Sequence, residues 1–222
     1  MPPSLKSRPS QSVWLFDLDN TLHDASRHAF PTIDAAMTDF IANALQIERS
    51  AASHLRVHYW QRYGATILGL IRHHPHIDPQ RFLAQSHPLA ELLREVHPMP
   101  GLKRTLRQLP GRKIVFTNGP QAYAQAMLDA LDVADCFDGV FSVDRVDGYA
   151  PKPQMRTYRQ LLRYFRLQAR RCILVEDSRD NLKPAKRLGM RTVWIKPGVR
   201  GSAWADATLI RLEELARRRI RA

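Results

Sequence analysis

Two carboxylates separated by one leucine, in Phe16-Asp17-Leu18-Asp19-Asn20-Thr21, stand directly after the apolar run Val13-Trp14-Leu15-Phe16. A short apolar run that ends in charged residues reads as a buried strand of a parallel sheet. Acidic groups at the C-terminal end of such a strand lie where α/β sheets open their ligand crevice. Two carboxylates there repel one another, and a cation between them relieves the repulsion. Oxygen ligands alone favour a hard ion, Mg²⁺ first. One carboxylate can then act as nucleophile and the other as proton carrier. Asp-Asn-Thr is also ordinary turn chemistry, however, so the pair needs partners elsewhere in the chain.

Three further segments supply candidates. Thr117-Asn118 follows the strand pattern Lys113-Ile114-Val115-Phe116, and Glu176-Asp177-Ser178 follows Cys172-Ile173-Leu174-Val175. Lys152-Pro153 sits just ahead of the helix that precedes the latter strand. If the strands are parallel, their C-terminal ends share one edge and these groups converge. The set would then offer carboxylates for a metal, hydroxyl and amide donors for phosphate oxygens, and an ammonium to offset the anion.

The elements that must position these groups alternate. After Leu22 the apolar residues Ile33, Ala36, Met37, Phe40, Ile41, Ala44 and Leu45 recur at helical spacing. A second helix runs from Ser50 to a stop at Gly64, and a third, short one covers residues 66–72. Asp78-Pro79 offers an N-cap and a proline at the first helical position. Phe82, Leu83, Leu89, Leu92, Leu93 and Val96 continue the period of that helix until His97-Pro98-Met99-Pro100-Gly101 breaks it. Residues 26–97 therefore read as an all-helical insertion, with Trp60, Tyr59 and Tyr63 as its own core. Beyond it, strand patterns at residues 113–117, 139–143, 172–175 and 192–195 alternate with helical ones, and helix 180–188 closes at Gly189. With the first strand these make five strands of a parallel sheet, joined by helical crossovers.

At 222 residues the chain can bury one core and carry an insertion. The formal net charge of +13 raises nucleic acid as a partner, but a basic surface equally attracts anionic small molecules. The basic residues are dispersed apart from a run at 217–221, which alternates with Leu212, Leu215, Ala216 and Ile220 as a solvated helix face would. Cys136 and Cys172 are too few for a disulfide framework and read as buried free thiols of a reducing compartment. Residues 1–12 contain no apolar run, so a disordered tail is expected there and no signal peptide. No stretch approaches membrane-spanning length. The expectation is a soluble cytoplasmic protein, monomer or homodimer, with no membrane partner.

The four segments, in this order, resemble the four motifs of the haloacid dehalogenase superfamily. The resemblance implies an α/β fold with a Rossmann-like parallel sheet in residues 13–25 and 98–222, and a helical cap of the C1 type over 26–97. It implies Mg²⁺ as cofactor and an aspartyl-phosphate formed on Asp17. Asp19 would protonate the leaving oxygen and then deprotonate the attacking water. Asp17, Asp177 and the Asp19 backbone carbonyl would hold the metal, with Glu176 and Asn181 supporting it. Thr117 and the Asn118 backbone amide would hold phosphoryl oxygens, and Lys152 would offset their charge. Members that cleave carbon–halogen bonds lack the second aspartate, so Asp19 favours phosphoryl transfer.

A capped site implies a small phosphorylated metabolite and argues against nucleic-acid substrates. Residues 16–22, Tyr63-Gly64, Gly69-Leu70, His73 and Ile77-Asp78-Pro79 resemble the pyrimidine 5′-nucleotidase branch, which implies a pyrimidine nucleoside 5′-monophosphate. The alternatives are a sugar-phosphate phosphatase, a phosphomutase of the same build, or a non-catalytic nucleic-acid-binding relative. Candidate substrate contacts are His23, which stands where that branch carries another aromatic residue, Arg27 at the hinge of the insertion, His73, and Tyr149 near Lys152. His73, His74 and His76 lack the Cys or acidic partners of a metal cluster and read as a solvated turn.

Overall fold

The computed structural model describes residues 12–198 and 201–218. The expected tail lies outside them but for Ser12, as does the basic run beyond Arg218. Six parallel strands form one sheet in the order β3-β2-β1-β4-β5-β6. These are β1 Val13–Phe16, β2 Arg112–Phe116, β3 Gly139–Phe141, β4 Cys172–Glu176, β5 Arg191–Ile195 and β6 Ala207–Leu209. Successive strand side chains point to opposite faces, so an uninterrupted apolar run needs cover on both sides. Trp14 and Phe16 accordingly enter one core cluster with Val115, Ile173 and Val175. Val13 and Leu15 enter the other with Ile114, Phe116, Cys172 and Leu174. In-register pairing of Leu15 with Ile114 and Leu174 brings the C-terminal ends of the three central strands level.

The sixth strand escapes the sequence reading because Ala207-Thr208-Leu209 is too short to show a period. It adds to β5 through the edge left open there.

Five helices stand between β1 and the core's next helix: α1 Ala29–Leu45, α2 Arg49–Tyr63, α3 Thr66–His73, α4 Pro79–Ser86 and α5 Leu89–Leu92. Gly64, at φ 86, ends α2 in the left-handed conformation that glycine adopts without penalty. Asp78 accepts the Gln80 N–H at 2.9 Å and caps α4, with Pro79 at the first position. The single long helix expected after Asp78 is broken. Pro88 has no N–H to give and its ring clashes with the preceding turn, so α4 stops at Ser86 and α5 restarts after it. Phe40, Ile41, Tyr59, Leu70, Phe82 and Leu83 form the insertion's own core, with Tyr63 at its margin. Trp60 does not belong to it. At 59% exposure it projects from α2 beside the buried Tyr59, because a helix turns adjacent residues to different faces.

The chain enters and leaves the insertion through neighbouring segments. Asp24 N–H donates to His97 O at 2.8 Å and Met99 N–H to Leu22 O at 2.9 Å. Val143 and Tyr149, from short 3₁₀ turns after β3, pack into the insertion's cluster and give it a second footing on the core.

The remaining helices are α6 Leu102–Gln108, α7 Gln121–Ala130, α8 Met155–Tyr164 and α9 Arg179–Arg187, the last followed by Gly189 at φ 84. Near the C-terminus a 3₁₀ turn, Leu212–Ala216, buries Leu212 and Leu215. Cys172 is buried as expected, whereas Cys136 is only partly so. Among the described residues no helix is long and apolar enough to cross a membrane.

Candidate active site

Where β1, β2 and β4 end, one ammonium gathers the groups that the sequence had set far apart. Lys152 Nζ donates to Asp17 Oδ1 at 2.6 Å, to Glu176 Oε2 at 2.8 Å and to Phe116 O at 2.8 Å. It is 3% exposed and lies 5.0 Å above the centre of the Phe116 ring. Each partner ends a different strand, and the parallel register is what puts them within reach of one side chain. Asn118 fixes the loop that carries the lysine: its Oδ1 accepts the Lys152 N–H at 2.7 Å and its Nδ2 donates to Lys152 O at 3.2 Å. The Asn118 side chain is thereby occupied, leaving its backbone amide for other duties. Thr117 Oγ1 accepts the Gly119 N–H at 2.9 Å and shapes the turn after β2.

Charge at this point is unbalanced. Burial first, then the charge of Glu176, push the Asp17 carboxyl up to about 8 despite Lys152 beside it. Burial and the charge of Asp17 likewise push Asp177 up. Lys152 is raised as well: burial alone would depress it, but Asp17 and Glu176 outweigh this and hold its proton firmly. One ammonium is shared among too many carboxylates. Carboxylate oxygens of Asp17, Glu176 and Asp177 lie within 4.8 Å of one another, and a set of hard oxygen donors with surplus negative charge fits a divalent cation such as Mg²⁺. Glu176 has both oxygens engaged, Oε2 by Lys152 and Oε1 by the Ser178 N–H at 3.2 Å, so Asp17 and Asp177 are the better direct ligands. Trp194 supports Asp177 by donating to its backbone carbonyl at 2.8 Å. Asn181 gives its backbone carbonyl to the Tyr158 hydroxyl at 2.6 Å.

Asp19, two residues along, has a different environment. Burial would raise its carboxyl, but hydrogen bonds from His23 and Tyr123 outweigh this and hold it below its ordinary value. Tyr123 Oη donates to Asp19 Oδ1 at 2.6 Å, and His23 Nε2 reaches the same oxygen at 3.1 Å. Burial and the Asp19 charge push the Tyr123 phenol well up, so it stays a donor. Two carboxylates of one strand end thus diverge in proton affinity, an arrangement suited to distinct nucleophile and proton-transfer roles.

Tyr123 lies on α7, where the local pattern marks it only as an apolar position. Its hydroxyl was the available signal, since a buried phenol needs a partner. His87, whose ring stands 5.2 Å from that of Tyr123, gave no signal at all, because it arrives from the insertion. The other candidates are spread out. His23 is 1% exposed and turned to Asp19 rather than to the surface. Arg27 is exposed in the turn before α1. His73 stacks on Tyr59 at 5.5 Å and shares a 2.6 Å hydrogen bond with the Tyr63 hydroxyl. His74 meets the Tyr59 hydroxyl at 2.8 Å, so the histidine turn is held by aromatic neighbours. Tyr149, at φ 54, accepts from Gln80 Nε2 of α4 at 2.8 Å and bridges core and insertion.

The chain is similar to several known proteins. It is 25% identical over 196 residues to a glyceraldehyde 3-phosphate phosphatase of Pyrococcus abyssi, covering 84% of this chain and 82% of that protein. It is 27% identical over 147 residues to phosphate metabolism protein 8 of Saccharomyces cerevisiae, covering 63% of this chain but only 46% of the yeast protein. Its fold matches the crystal structure of a HAD phosphatase from Thermococcus onnurineus with a TM-score of 0.64 and 24% identity, over 93% of this chain and 96% of that one. The model of the haloacid dehalogenase-like hydrolases matches residues 12–189, a span that takes in Lys152 and the three strand-end segments around it. The chain therefore belongs to the haloacid dehalogenase-like hydrolases.

Proposed function

We propose that this hydrolase is a Mg²⁺-dependent phosphomonoesterase acting on a small phosphorylated metabolite, a pyrimidine nucleoside 5′-monophosphate first. One observation carries the reading: Asp17 is paired with buried Lys152 at 2.6 Å, while Asp19 on the same strand end answers to a separate pair of donors. An Asp17 oxygen attacks phosphorus, the bond to the leaving oxygen breaks, and Asp19 supplies that oxygen with a proton. Water then attacks the aspartyl-phosphate, Asp19 takes its proton, and inorganic phosphate leaves with Asp17 restored. The negative charge of an arriving phosphate raises the proton affinity of Asp19, which the resting site keeps low. Thr117 and the Asn118 amide hold phosphoryl oxygens, and Lys152 offsets their charge. A bound Mg²⁺ would neutralise the surplus carboxylate charge and polarise the phosphoryl group.

The resemblance of the first motif and of scattered positions in the insertion favours the nucleotide. A second reading, a triose or sugar phosphate, is favoured by the Pyrococcus relative, a glyceraldehyde 3-phosphate phosphatase that this chain matches over 84% of its length. Cys136 and Cys172, both unpaired, suit a reducing cytoplasm. The test is phosphate release from a panel of nucleotides, triose phosphates and sugar phosphates, with and without Mg²⁺. Fastest Mg²⁺-dependent release from pyrimidine nucleotides supports the first reading. A lead for triose or sugar phosphates selects the second. Release from none, or equal release by Asp17→Asn, would sink the phosphatase reading.

A further inference from the structure

Resting on the phosphatase reading above, we propose that Tyr123 and His23 are positioning residues for Asp19. They clamp one of its carboxylate oxygens, so that the other alone exchanges protons with the leaving group and with water. Asp19 lies beyond the end of β1, where its backbone forms an isolated bridge with that of His23 and Asn20 follows at φ 60, so no continuous strand ladder fixes its side chain. The clamp supplies what the backbone lacks. Tyr123 Oη donates to Oδ1 at 2.6 Å. A carboxylate can only accept, so the His23 nitrogen at 3.1 Å from the same oxygen is the one that carries a proton. That nitrogen also stands 3.3 Å from Tyr123 Oη, closing a triangle of three groups. Hydrogen bonds to an ionised acceptor are short and strong, and two on one oxygen resist rotation of the carboxylate.

Among the described residues no donor reaches Asp19 Oδ2, and the side chain retains 17% exposure while that of His23 has 2%. The free oxygen is therefore the one that can meet a substrate. The clamp is itself held rigidly. The Tyr123 ring is wholly buried, and it is seated so closely against Gly119 that a Cβ there would stand 2.8 Å from Tyr123 Cδ1. Gly119 follows Thr117 and Asn118, so the phosphate-holding turn and the seat of the tyrosine are one piece of chain. On its other side the ring packs against His87 at 5.2 Å, and the His87 imidazole is anchored to Leu83 O at 3.0 Å within the insertion.

The test exploits the fact that only a basic leaving group needs a proton. Leaving-group release is measured in a single turnover, before hydrolysis of the phosphoenzyme contributes. The substrates are the best alkyl phosphate of the panel and nitrophenyl phosphate, whose leaving group departs as the anion. Tyr123→Phe removes one buried hydroxyl and keeps the ring, and His23→Phe removes the second donor while keeping a ring. Each variant should slow alkyl release about 10- to 100-fold, with nitrophenyl release within about threefold of the parent. Near-ultraviolet circular dichroism and a thermal melt report whether the ring seat survives. Equal losses on both substrates, or no loss on either, overturn the clamp while leaving the phosphatase intact. A parent protein that transfers phosphate from neither substrate removes the phosphatase reading, and the clamp with it.

Discussion

Mg²⁺ affinity should fall steeply as the solution is acidified from pH 8 to pH 6. The cause is the Asp17 carboxyl, which burial and the charge of Glu176 push up to about 8 in the metal-free protein. A metal ion and a proton compete for that carboxylate, so binding below this value must displace a proton. The sign follows: affinity rises with pH until the carboxyl is ionised and then levels off. For one displaced proton the apparent dissociation constant grows about tenfold from its plateau at pH 7 and about a hundredfold at pH 6, roughly 1.4 kcal/mol for each pH unit. Asp177, pushed up by burial and by Asp17, steepens the fall rather than opposing it. Isothermal titration calorimetry in two buffers of different ionisation enthalpy measures both the affinity and the protons released. Close to one proton per ion should appear at pH 7. An affinity unchanged between pH 6 and pH 8, with no proton release, would refute the charge imbalance on which the metal assignment stands.

Replacement of Asp17 by asparagine should lower turnover on the order of 10⁴-fold while leaving the melting curve close to the parent's, and loss of the leaving-group burst checks it. Lys152→Ala should cost stability as well as activity. Its ammonium offsets two carboxylates in a site sealed from water, and removing one partner of a buried pair costs about 3–5 kcal/mol. Denaturant titration with and without Mg²⁺ reads the loss, and the ion should recover part of it; an unchanged midpoint would contradict the pairing. Gly69→Ala should destabilise the insertion by about 1–3 kcal/mol, because a Cβ there would fall 2.1 Å from Cγ of Tyr59. Hydrogen exchange should show faster opening of α2 and α3, and protection equal to the parent's would mean the helices can part freely. Trp60→Ser, by contrast, should shift stability by no more than about 0.5 kcal/mol in the same titration.

The amino-acid order alone was enough to mark Asp17, Asp19, Thr117, Asn118, Lys152, Glu176 and Asp177, because each follows a buried strand or adjoins a helix whose local pattern is strong. A parallel sheet aligns such strand ends by construction, so their meeting was implied once the alternation of strands and helices was read. The start of α4 was equally plain, since Asp78 and Pro79 act on their own turn. Local pattern says less about which face of an element finds a partner. Tyr59 and Trp60 are adjacent aromatics on one helix, and only the packing of α3 against α2 buries the first and leaves the second in water. The environment of Asp19 lay further from view. His23 is four residues away, but Tyr123 is 104 residues away and His87 comes from the insertion, so no spacing could join them. A charge's partners are set by distance in space. That is why the strand ends could name the groups that converge, while the folded chain decided which oxygen of Asp19 is tied down and which is left open.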